Sequence, residues 1–177
     1  MRFDDCLKII LKFEGGYSDR KEDRGGATNF GVTQTTYDTF RLNTNKPLQP
    51  VKFITEQEAH IIYHMYYWTP SKAPQLPEPL DLVMFDSWIQ HRPKVAMQFL
   101  QQALGIPDDG KYGQQTATAV ADEVKADRLH ALCENIIHLR LAFYNRLALE
   151  GDQVKNLNGW RNRMRHLQGA VDKHFST

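Results

Sequence analysis

Residues 13–33 read FEGGYSDRKEDRGGATNFGVT and hold five of the chain's eleven glycines. Ahead of them, Phe3, Leu7, Ile10 and Leu11 recur at helical spacing, with Asp4 and Asp5 placed where a helix N-terminus favours carboxylates. Gly15 and Gly16 supply the stop signal. Residues 17–33 carry no helical period, and their paired glycines suit tight turns or a short hairpin. Thr33 is the expected N-cap of a helix running through Phe40. The stretch is therefore predicted to be a small glycine-rich break between two helices.

Helical signals continue outward from it. Thr55 followed by Glu58 forms a capping box that opens a helix bearing Ala59, Ile62, Tyr63, Tyr66 and Tyr67, closed by Pro70. Pro70, Pro74, Pro77 and Pro79 then predict a stiff connector. Leu82 to Gln90 is apolar enough for a buried helix. Pro93 suits the first turn of the next one, through Val95, Met97, Phe99, Leu100 and Leu104, with Gly105 as its stop. Asp109-Gly110 marks a turn, Gln114 to Val124 a short helix, and Asp127 to Leu149 a long one. Period-2 alternation is almost absent, so the chain is expected to be mainly α.

Composition narrows the function. Lys and Arg number 22 against 21 Asp and Glu, so no net field steers the 177-residue chain to nucleic acid or anionic lipid. No apolar run is long enough to span a bilayer. Asp4, Asp5, Lys8 and Lys12 break the apolar core that a signal peptide needs, so the expectation is synthesis in the cytoplasm and export by another route. Cys6 and Cys133 could bridge or remain buried free thiols. His60 and His64 share a helix face as a metal pair would, but the glutamate of a zinc-protease motif is missing, and no metal or cofactor is expected. Arg161, Arg163, Arg165 and His166 make a basic cluster, either a solvated face or a contact for an anionic wall.

The chemistry sits beside the first helix. A carboxylate in a helix's last turn faces the negative dipole end, and an apolar neighbourhood adds to the effect. Both raise the pKa of Glu14 towards that of a general acid, although a solvated helix-end glutamate also fits. Gly15 and Gly16 leave room for a bulky substrate. Asp19, Glu22 and Asp23 offer a second carboxylate across a short turn, the pairing that glycosidases use. Thr28 and Asn29 add short hydrogen-bonding groups suited to a water or a sugar amide.

The stretch resembles the signature of glycoside hydrolase family 108, bacterial and phage N-acetylmuramidases that cleave peptidoglycan. The match runs without a gap through Glu14, Gly15, Gly16, Tyr17, Asp23, Gly25, Gly26, Thr28, Asn29, Gly31 and Thr33, with Val32 in place of isoleucine. The resemblance implies that Glu14 is the catalytic acid and that Tyr17 and Asn29 contact substrate. Phage-type lysozymes are similar in the order of a glutamate, an aspartate and a threonine, which implies that Asp23 and Thr28 position the attacking water. Residues 66–93 resemble a later block of the family, in which Trp68, Asp86 and His91 stand at recurrent positions as substrate-binding candidates beside Tyr67 and Ser87. The family's glycine after the histidine is Arg92 here. Tyr63 and Tyr66 fit either sugar stacking or core packing.

Residues 99–120 are similar to the peptidoglycan-binding region that follows such catalytic domains, at Leu100, Gln101, Ala103, Leu104, Gly105, Asp109, Gly110, Gly113 and Thr116. A helix–turn–helix corner explains the same residues. Gly159, Trp160 and Arg163 match a C-terminal element whose expected role is packing. The resemblance implies a lysozyme-like helical domain over 1–90, with a small glycine-rich hairpin or loop at its active site. A helical peptidoglycan-binding-like region follows over 91–177. The expected enzyme is a monomeric muramidase acting on glycan strands, reaching the wall through a holin-like export partner. A lytic transglycosylase and a non-catalytic wall-binding adaptor are the alternatives.

Overall fold

The computed structural model describes residues 2–12, 27–150 and 153–176. The chain divides into two compact units, Met1–Pro70 and Ser71–Thr177. Both are mainly α.

The first unit begins with α1 (Arg2–Leu11), which buries Cys6, Leu7 and Ile10. A two-stranded antiparallel sheet follows, β1 (Thr28–Asn29) and β2 (Val32–Thr33), in the register Thr28↔Thr33 and Asn29↔Val32. Its turn residues Phe30 and Gly31 have φ of 51° and 73°. That left-handed pair matches the twist of a two-residue hairpin, and glycine adopts it without steric cost. The hairpin thus turns on Phe30-Gly31; Gly15, Gly16, Gly25 and Gly26 lie outside the described residues.

Thr33 caps α2 (Gln34–Asn43) as expected, its Oγ1 accepting from the Thr36 amide at 3.2 Å. A 3-10 turn (Val51–Phe53) leads into α3 (Glu56–Tyr63). The predicted capping box is present: Thr55 Oγ1 accepts from Glu58 N at 3.1 Å and Glu58 Oε2 from Thr55 N at 3.4 Å. Beyond Tyr63 the helix widens to π geometry over His64–Trp68.

The second unit contains a 3-10 turn (Ala73–Gln75), α4 (Leu80–Gln90), α5 (Pro93–Ala103), α6 (Gln114–Lys125), α7 (Leu129–Glu150) and α8 (Val154–Phe175). Every residue from Leu80 to Ser87 is buried, Asp81, Asp86 and Ser87 among the apolar side chains. This helix packs on α5 and α7, and α7 pairs with an antiparallel α8. Pro93 opens α5, and Gly105 ends it at φ 66°. The Asp109-Gly110 turn is held by buried Gln101, which donates to Asp109 Oδ1 (2.8 Å) and Lys111 O (3.0 Å) and accepts from Gly110 N (2.8 Å). Gln101 also reaches Thr116 Oγ1 at 3.3 Å, so the motif shared with peptidoglycan-binding regions is an internally bonded corner. Arg92, where the family has glycine, takes φ −59° and ψ 142°, a backbone open to any residue. Cys6 and Cys133 are both buried thiols with no disulfide between them, and burial pushes the Cys133 thiol up to about 12.

Candidate active site

Of the residues expected to do chemistry, Glu14, Tyr17 and Asp23 lie outside the described residues, with Asp19 and Glu22. Thr28 and Asn29 are described, and they share β1 on the half-buried hairpin. The hairpin is anchored on three sides. At its base, Gln34 N donates to Ala27 O at 3.0 Å. At its turn, the Tyr63 hydroxyl donates to Phe30 O at 2.9 Å, fixing a non-glycine residue in a left-handed conformation. At its flank, Asn29 Nδ2 donates to Lys52 O at 3.3 Å. Gln34 holds that flanking segment, accepting from Val51 N at 2.6 Å and donating to Gln49 O at 3.0 Å.

Beneath this framework lies a buried carboxylate. Glu58 Oε1 accepts from Arg41 Nη1 and Lys46 Nζ, both at 3.0 Å, and Oε2 from the Tyr37 hydroxyl at 2.7 Å. Burial alone would raise its pKa, but the hydrogen bonds from Tyr37, Lys46 and the Thr55 amide overcome that and bring it to about 2. Glu58 therefore ties α2, the segment after it and α3 together as a permanent anion. In the sequence it was visible only as a capping residue, because its partners Arg41 and Tyr37 stand 17 and 21 residues away.

Lys52 and Phe53 were not singled out from the sequence. Phe53 is 58% exposed, with Lys52 Nζ 4.8 Å from its ring centre. The pair adjoins Asn29 and presents an aromatic surface and an ammonium beside it. A separate cleft of about 400 Å³ opens between α1 and α3, walled by Leu7, Leu11, Phe30, Ala59 and Tyr63. At the same cleft His60 Nε2 bonds Asp4 Oδ1 at 2.7 Å. The Phe3 ring lies edge-on to both His60 (4.9 Å) and His64 (4.8 Å), so the pair is occupied by aromatic packing.

The other substrate-contact candidates have defined surroundings in the structure. Trp68 is 4% exposed and packs 5.5 Å from Phe3, so no face of it is open for sugar stacking. Tyr63 is likewise in the core, while Tyr66 accepts from Asn43 Nδ2 at 3.0 Å. Asp86, in the second unit, is fully buried. Its Oδ2 accepts from Arg140 Nη2 at 2.6 Å and its Oδ1 from Arg163 Nε at 2.9 Å. Burial would raise this carboxyl, but the two guanidiniums reverse the effect and hold it below the ordinary range. Asp86 is therefore a scaffold anchor, with both oxygens committed to arginine.

His91 is half-buried in the same unit. Its ring packs on Phe99 (5.0 Å), Phe143 (5.4 Å) and Tyr144 (5.3 Å), and Nε2 lies 2.9 Å from the Tyr144 hydroxyl. Burial, with Arg140 adding repulsion, pushes its pKa down to about 3, so the ring is neutral. With its hydrogen on Nδ1, the neutral ring accepts a hydrogen bond at Nε2 from the Tyr144 hydroxyl.

Residues 7–91 match the family described as Glycosyl hydrolase 108, and residues 95–165 match a Predicted Peptidoglycan domain. The sequence division falls after His91 and the packing division at Pro70, because α4 lies in the first match yet packs on α5 and α7. No curated protein matches. Among solved structures, that of Brucella abortus SagA is similar with a TM-score of 0.78 and 29% identity, covering 96% of this chain and 92% of its own.

Proposed function

We propose that the chain, whose residues 7–91 match the glycosyl hydrolase 108 family, is an N-acetylmuramidase. With the peptidoglycan domain behind that region, it is a peptidoglycan hydrolase of mainly helical fold. The finer proposal is that it cuts the β-1,4 bond between N-acetylmuramic acid and N-acetylglucosamine, with Glu14 as general acid. Asp23 and Thr28 hold the attacking water. The observation that carries this reading is the gapless motif from Glu14 to Thr33, whose final part is the three-sided anchored hairpin.

In the proposed reaction, Glu14 gives its proton to the glycosidic oxygen as the bond breaks and positive charge grows at the anomeric carbon. Asp23 takes a proton from water on the opposite face. The Thr28 hydroxyl, which donates and accepts, orients that water. Inversion follows when the two carboxyl groups stand roughly 6.5–9.5 Å apart, leaving space for the water. Tyr17 and Asn29 contact the glycan. Phe53 adds an apolar face for a pyranose ring beside Asn29. The biological setting is lysis or secretion-linked wall remodelling, with passage to the wall through a holin-like pore.

Digestion of purified peptidoglycan in oxygen-18 water, read by mass spectrometry, tests the reaction. The expected products are reducing muramic acid ends carrying one heavy oxygen. Anhydro-muramic ends would make the protein a lytic transglycosylase, and reducing glucosamine ends would move the cut to the other bond.

A further inference from the structure

The start of α7 and the last turn of α8 bring together three side chains that the hydrolase chemistry does not use. His130 and Glu134 lie one turn apart on α7, and Asp172 faces them from α8. His130 Nε2 is 3.0 Å from Asp172 Oδ1 and 4.0 Å from Glu134 Oε1, and all three ligand atoms lie within 4.8 Å of one another. We propose that these residues bind one divalent first-row transition-metal ion, of which Zn2+ is the type, and that the ion staples α7 to α8.

The geometry and the donor chemistry agree. Zinc bonds nitrogen and carboxylate oxygen at about 2.0–2.2 Å, which sets tetrahedral donors roughly 3.4 Å apart. The observed separations bracket that value, and the side chains are half-exposed, so their ends can close by rotation without moving either helix. Two carboxylates and a neutral imidazole balance a divalent charge. An imidazole among oxygens favours zinc, nickel or cobalt over the all-oxygen preference of calcium and magnesium. Solvent supplies the remaining coordination.

The surroundings orient the ligands. The Phe175 ring packs 4.8 Å from His130, and Gln168 Nε2 donates to Asp172 Oδ1 at 2.7 Å, as second partners of metal ligands do. Without an ion, His130 Nε2 and Asp172 Oδ1 stand at hydrogen-bond distance, 3.0 Å. On binding, the ion takes the Nε2 lone pair, and the ring carries its one hydrogen at Nδ1.

Calorimetric titration of metal-stripped, full-length protein with Zn2+ tests the site independently of wall hydrolysis. One ion per chain is expected, with a rise in Tm of about 5 °C or more at a hundredfold excess over Kd. His130→Ala and Asp172→Asn should each weaken binding at least tenfold and remove the Tm shift, whereas His64→Ala should leave both intact. Asp172→Asn preserves shape at a half-exposed position, so it decides the matter even where His130→Ala fails to fold. Absence of stoichiometric binding, binding that survives either substitution undiminished, or binding lost in His64→Ala would overturn the proposal.

Discussion

His91 is held neutral by three aromatic rings and by Arg140, and this makes one residue a source of acid sensitivity. Its folded pKa of about 3 lies below the unfolded value near 6.5, so between those limits the unfolded chain binds a proton that the native state does not. Stability from this group is complete above pH ~6.5 and falls as the pH drops towards 3. The slope is at most ~1.4 kcal/mol per pH unit. Denaturant unfolding at pH 6.5 and 5.0 should show a loss of about 2 kcal/mol in the wild type and a clearly smaller one in His91→Gln, whose amide oxygen still accepts from Tyr144. Equal losses in both proteins would place the sensitivity elsewhere. At this scale the sequence offered Asp86 and His91 as substrate contacts, and the structure shows what each touches inside the fold. Asp86 and His91 stand in a recurrent block, but the arginines that claim Asp86 lie 54 and 77 residues away, beyond any local pattern.

The hairpin is where element geometry meets the proposed chemistry. Its turn asks Phe30 to accept φ of 51°, and the Tyr63 hydroxyl on α3 is the donor that holds the Phe30 carbonyl. Tyr63→Phe removes that bond while keeping the buried ring. A loss of about 1 kcal/mol and a Tm lower by roughly 2–4 °C are expected. If Thr28 and Asn29 need this anchorage, kcat/KM on peptidoglycan falls roughly fivefold, the same free energy read as a rate. An unchanged rate in the destabilised variant would separate the hairpin from the chemistry. Element ends were the most legible features, since Thr33, the Thr55–Glu58 box, Pro93 and Gly105 each act through their immediate neighbours. The hairpin's turn was less so, because a donor 33 residues away stabilises a conformation that phenylalanine does not favour alone. The π-helical widening over His64–Trp68 left no trace in the apolar period.

Over the whole molecule, the family matches over residues 7–91 and 95–165 support the hydrolase reading. The C-terminal Gly-Trp-x-x-Arg element shows how such a motif serves the fold: Trp160 stacks on Tyr144 at 4.9 Å, and Arg163 reaches Asp86 at 2.9 Å. Residues 153–176 gave only that local hint of a helix, because α8 is largely polar and earns its place by lining α7. The hydrolase reading rests on Glu14, so its proton is the most direct thing to remove. Glu14→Gln keeps size and hydrogen-bonding capacity but cannot deliver a proton. Turbidity clearance and product release from purified peptidoglycan should fall about a hundredfold or more, with the circular dichroism spectrum and Tm unchanged. A folded Glu14→Gln protein that kept more than about a tenth of the wild-type rate would contradict the assignment of Glu14 as general acid.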